Sequence, residues 1–115
     1  MDQRRTGVKH GDVITAALNG DYGKPCPAVI IQSDHLGGTD SVLLCLVTSS
    51  TKEAPLHRLS LTEDPATGLR RQSQVMVEKI VTARKERCGP PIGRLDRATM
   101  RELSRLLMFV IGVTD

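Results

Sequence analysis

Aromatic side chains are almost missing: the 115 residues include no Trp, one Tyr and one Phe, at Tyr22 and Phe109. Binding of nucleic acid on stacked aromatic platforms is therefore all but excluded, because the flat faces that bases need are absent. No run approaches the roughly 20 apolar residues that cross a bilayer. The basic start Met1-Asp2-Gln3-Arg4-Arg5 is followed by no apolar stretch, so a signal peptide is not expected. Cysteine is sparse as well. Cys26, Cys45 and Cys88 are an odd number, far apart and without paired metal-ligand spacing, which suits a reducing compartment and makes cytoplasm the expected location. Cys45 lies in an apolar run and reads as a small buried hydrophobe. The net charge of +3 is too mild to define a partner.

What remains is one small domain with an aliphatic core. Residues 1–10 read as a flexible segment, 11–112 as the folded domain and 113–115 as a tail. Val13 to Leu18 predicts a first strand, and Asn19-Gly20-Asp21-Tyr22-Gly23 a turn rich in residues that tolerate positive φ. Lys24-Pro25-Cys26-Pro27 reads as a continued connection, since proline removes ladder donors. Ala28 to Gln32 and Ser41 to Val47 are β-rich apolar runs around a Gly37-Gly38 loop, the pattern of a hairpin. Leu56, Leu59 and Leu61 predict a short edge strand carrying His57 and Arg58. Val75 to Val81 predicts another, with Glu78 and Lys79 inside it or at its end. The period then changes: Met100, Leu103, Leu107 and Val110 line one helical face, with Asp96 as N-cap and Gly112 as stop. Short strands with close turn signals and a single late helix favour a small barrel or strongly bent sheet over a βαβ fold.

The usual signatures of cofactor chemistry are missing. There is no dinucleotide glycine motif, phosphate-binding loop or zinc-hydrolase histidine pair, and no two-metal carboxylate cluster. No metal or other cofactor is expected. Thr48-Ser49-Ser50-Thr51, directly after the third strand, can bind an anion or satisfy its own backbone in hydroxyl turns.

Gly11-Asp12-Val13, the stretch from Gly23 to Asp34, Leu46-Val47-Thr48-Ser49, Gly68-Leu69, Ser73-Gln74-Val75, Ile80-Val81-Thr82 and Ile92-Gly93-Arg94-Leu95 follow one another in an order that resembles the MazF/PemK family of toxin endoribonucleases. The resemblance covers about residues 11 to 112. It implies an SH3-like barrel, a homodimer, a cognate antitoxin as partner, and metal-independent cleavage of single-stranded RNA to 2′,3′-cyclic phosphate and 5′-hydroxyl ends. It assigns Thr48 to the catalytic site, with Ser49 beside it, and brings Glu78 near a position that is often acidic. Where the family has arginine before the proline opening its second strand, this chain has Cys26, which lacks the cationic fork. Lys24 is then a candidate phosphate ligand, and Arg58, Arg70, Arg71 and Arg84 are candidates for the missing charge. His57 is a candidate for proton transfer, since an unperturbed imidazole titrates near neutrality. Cys26 also motivates two other readings: a catalytically impaired RNA- or antitoxin-binding protein on the same scaffold, and, more remotely, an inhibitor of DNA gyrase.

Overall fold

The computed structural model describes residues 7–18 and 24–115. The turn expected at 19–23 and the start of the 1–10 segment lie outside the described residues. Strand β1 (Asp12–Ala17) pairs antiparallel with β2 (Pro25–Ile30), which pairs with β3 (Ser41–Thr48). The expected hairpin is therefore formed. Strand β3 pairs with β5 (Ser73–Arg84), β5 carries the edge strand β4 (Arg58–Leu61), and β1 carries the short β6 (Gly93–Arg94). The order β4-β5-β3-β2-β1-β6 makes one antiparallel sheet, curled into a half-barrel and backed by a single helix, α1 (Arg97–Val110).

The sequence reading needs correction at Lys24–Pro27, for β2 already begins at Pro25. The Val13 and Thr15 carbonyls accept from Ile92 N and Gly89 N, each at 2.8 Å, so both residues turn their backbone polar groups away from β2. Thr15 opposite Pro27 is thus a non-hydrogen-bonded pair, and the absent proline amide faces the side where β3 pairing ends at Ala28. Proline costs the ladder nothing there. Leu56 also differs from expectation: it is exposed and precedes β4, as does His57.

Strand alternation creates two apolar clusters. Val13, Val29, Cys45, Val47, Val75 and Val77 pack with Met100, Leu103 and Leu106 of the helix. Ile14, Ala16, Ala28, Ile30, Val42, Leu44 and Ala83 form the second cluster from the alternate positions. Both faces of β2 are covered, as its continuous apolar run predicts. In α1 the buried stripe is Met100, Leu103 and Leu106, with Leu107 and Val110 only partly buried, so the stripe is wider than the expected one. Asp96 caps the helix by accepting from Thr99 N at 2.7 Å, and Gly112 ends it at φ 85°.

Close backbone approach fixes the 64–69 turn against β6. A Cβ on Gly93 would overlap the carbonyl groups of Ala66 and Thr67, and one on Gly68 (φ 74°) would strike the Ile92 carbonyl. Arg94 N donates to Ala66 O at 2.9 Å across the same contact. Arg70 and Arg71 leave the turn from this fixed base.

Candidate active site

Thr48 is the last residue of β3 and pairs with Gln74 of β5, which in turn pairs with Ser60 of β4. Ala16 pairs with Cys26 on one side and bridges to Cys88 on the other. Continuing the β2·β3 register two residues past Ala28↔Leu46 sets Cys26 opposite Thr48. One transverse row thus runs Cys88, Ala16, Cys26, Thr48, Gln74, Ser60 across the sheet. The residue standing where the family resemblance calls for arginine thus falls in the threonine's row by register, two residues beyond the last paired positions of β2 and β3.

The Thr48 Oγ1 accepts from Ser50 N at 3.0 Å, a hydroxyl turn that ends the strand. Both readings of this segment are compatible, because a hydroxyl that accepts one amide keeps its own hydrogen to donate. Thr48 and Ser49 line an open cleft of about 440 Å³ with Pro27, Val47, Leu69, Arg70, Arg71 and Ser73. Ser73 Oγ donates to Arg71 O at 2.9 Å and ties the arginine backbone to the sheet. Two wider hollows, of about 680 and 750 Å³, adjoin the 62–70 turn, but Asp64 lines both and Asp96 or Glu63 adds a second carboxylate. The smaller cleft combines arginines with hydroxyls and has no acidic lining, as does a slighter hollow of about 130 Å³ beside Thr82, Arg84 and Arg87. A phosphodiester fits that chemistry better.

Arg58 reaches the same strand end from β4. Its Nη1 donates to Ser50 O at 3.1 Å and to Gln74 Oε1 at 2.9 Å. Glu78 lies four residues beyond Gln74, at most roughly 13 Å along the strand. Between Cys45↔Ile80 and Val47↔Val75, β3 advances two residues and β5 five, so an irregular bulge presents Glu78 and Lys79. Bulges of this kind re-aim side chains out of the ladder. His57 Nδ1 sits 3.2 Å from Glu78 Oε1. The contact falls short of hydrogen-bond geometry, so the two side chains are joined by proximity alone. Partial burial pushes the Glu78 pKa up, but its own backbone amide, His57 and Arg58 together outweigh this and hold it below the ordinary glutamate value. Glu78 is thus an ionised acceptor at neutral pH.

The remaining candidates are placed elsewhere. Lys24 is exposed directly ahead of β2 and stands outside the cleft, on the Cys26 side of the strand by alternation. Arg84 stands opposite Ser41 at the far end of β3, seven residues and roughly 23 Å from Thr48. It pairs with Glu86 at 3.8 Å. Among the described residues, no three His, Cys, Asp or Glu side chains converge as metal ligands. Sequence reasoning missed the role of Gln74. The available signal was an amide amid the apolar residues of a strand, and it proves 7% exposed.

Residues 9–111 match the family model of the PemK-like, MazF-like toxin of type II toxin-antitoxin systems. A probable endoribonuclease MazF of Mycolicibacterium smegmatis is 37% identical over 107 residues, covering 92% of this chain and 98% of that one. Among solved structures, an endoribonuclease in complex with its cognate antitoxin from mycobacterial species superposes with a TM-score of 0.77 at 20% identity, covering 94% of this chain and 98% of that one. A MazE-MazF structure from Deinococcus radiodurans gives 0.73 at 18% identity, covering 92% and 96%. The two structural likenesses concern the fold.

Proposed function

The chain belongs to the PemK-like, MazF-like toxin family of type II toxin-antitoxin systems, and from that premise we propose that it is a metal-independent endoribonuclease acting on single-stranded RNA. The carrying observation is that Thr48, with its hydroxyl hydrogen left to donate, lines a carboxylate-free cleft with Arg70 and Arg71. In the proposed reaction the ribose 2′-oxygen attacks the adjacent phosphorus and the bond from phosphorus to the 5′-oxygen breaks. The products are a 2′,3′-cyclic phosphate and a 5′-hydroxyl. Thr48 donates to a phosphoryl oxygen as charge builds there, with Ser49 beside it, and Arg70 and Arg71 hold neighbouring phosphates. Glu78, an ionised carboxylate beside His57, is the acceptor for the 2′-proton, and a His57 ring N–H is the donor to the leaving oxygen. The protein works as a cytoplasmic homodimer restrained by a cognate antitoxin, in keeping with the antitoxin complexes of structural relatives.

The test is cleavage of labelled single-stranded RNA in excess chelator, with the product ends analysed. Thr48→Ala is expected to lower kcat by roughly a hundredfold to a thousandfold while the fold is kept. Discrete cleavage that needs added metal, or undiminished activity in that variant, refutes the mechanism. A second reading, a catalytically impaired binder, is favoured by one observation, the thiol of Cys26 in place of a guanidinium opposite Thr48. RNA or antitoxin binding without turnover would support it.

A further inference from the structure

Gln74 is the most fully engaged polar side chain among the described residues of the sheet. Its Oε1 accepts from Lys52 N at 3.0 Å and from Arg58 Nη1 at 2.9 Å. Its Nε2 donates to Lys52 O at 2.9 Å and to Ser60 Oγ at 3.4 Å. A carboxamide has two acceptor and two donor positions, and all are used. Toward Lys52 it acts as a peptide group would, closing a donor–acceptor pair with a loop residue that has no strand partner. The same oxygen grips Arg58, whose Nη1 also holds Ser50 O. Ser50 N in turn holds the Thr48 hydroxyl. A chain of contacts therefore runs from the buried amide through one guanidinium to the hydroxyl at the strand end.

We propose that Gln74 is a positioning residue that holds Arg58 and the 49–54 loop in register with Thr48, so that Arg58 supplies, from β4, the fixed positive charge that Cys26 cannot supply from β2. The proposal deepens the ribonuclease reading and rests on it. Arg58 is well suited to this work. Its Nε is buried without an acceptor, and its Nη1 contacts to Ser50 O and Gln74 Oε1 hold the guanidinium in place. Three of the four strands in the Cys26–Thr48–Gln74–Ser60 row would then share one electrostatic task, with the charge moved three strands sideways.

Two measurements keep the positioning claim separate from the enzymatic one. The first follows the Arg58 Nε–Hε resonance by nitrogen-15 NMR in the full chain. It is expected to be sharp and protected from exchange in the unmodified protein and in Gln74→Glu, which keeps the acceptor, and lost in Gln74→Met. Should Gln74→Met not fold, Gln74→Asn, polar but too short to span both partners, takes its place with the same expectation. A protected signal in a folded Gln74→Met or Gln74→Asn chain overturns the proposal. The second is a double-variant cycle on RNA cleavage. Gln74→Met and Arg58→Met should each lower kcat by about tenfold to a hundredfold with KM little changed, and the double variant should lose no more than Arg58→Met alone. Additive losses overturn the coupling. If the unmodified chain cleaves no RNA, the ribonuclease reading falls, and the NMR signal alone decides whether Gln74 positions Arg58.

Discussion

A hydroxyl has one hydrogen and two acceptor positions, and at Thr48 the Ser50 amide occupies one of the latter at 3.0 Å. The bond orients the side chain without consuming its donor, so a strand-capping role and a phosphate-binding role coincide in one residue. Cys26 is the residue across from it, half-buried at the place where two strands diverge. With Arg58 supplying the charge from β4, Cys26→Arg is therefore expected to leave kcat within about twofold; a rise of roughly tenfold or more would show that phosphate charge still limits the rate. Cys45 is a different kind of thiol. Burial, and secondarily the Glu78 carboxylate, pushes its pKa up to about 12 from an ordinary 9.0. The unfolded chain releases this proton near the ordinary value while the fold retains it, so its contribution to stability is full below that value and declines as pH rises toward the folded one. Cys45→Val should be close to neutral for stability at pH 7 yet lessen the loss seen by urea denaturation at about pH 10. An identical alkaline loss in both proteins would refute the assignment.

At the scale of elements, the sequence is most readable where one physical demand dominates. The β3 run, the Asp96 cap and the Gly112 stop are local signals and appear where the residues place them, whereas β2 is shifted from 28–32 to Pro25–Ile30. Pro25 and Pro27 mislead because proline excludes a strand only where its amide would be used, and that depends on which neighbour ends first. The bulge at Glu78 is likewise invisible in the residues alone, being set by a register shift between β3 and β5. Thr48, Arg70 and Arg71 could be named from sequence, but their convergence at one cleft could not. For α1, which lacks an acidic residue in its first turn, Asp96 is the only cap. Its hydrogen bond from Thr99 N holds its pKa below the ordinary aspartate value. The cap is therefore complete at neutral pH and is lost as pH falls through that lowered value. Asp96→Ala should lower Tm and flatten its dependence on acid pH, and Asp96→Asn should restore much of the Tm without the pH dependence. Equal Tm values for all three chains at pH 7 would remove the cap from the account.

Taken whole, the molecule turns a curled sheet with few formal charges into a locally cationic edge. Arg58, Arg84, Arg94 and Arg105 are each engaged with protein acceptors, whereas Arg70 and Arg71 are exposed beside Thr48 on a turn braced by Gly68 and Gly93. A net charge of +3 over the chain is too small to draw RNA strongly by itself. Local phosphate contacts must then set the salt dependence of binding. Each contact on a single strand contributes about 0.7 to the slope of log affinity against log salt. Replacing both Arg70 and Arg71 by Ala should thus reduce that slope by about 1.4, measured with RNA carrying a 2′-deoxy residue at the cleavage point. Arg84→Ala, at the opposite end of β3, should leave the slope unchanged because its side chain lies too far along the strand to share those phosphates. If Arg84 altered the slope and the paired arginines did not, the RNA path would have to run along the other end of the sheet, and Thr48 could no longer be the residue that meets the reacting phosphate.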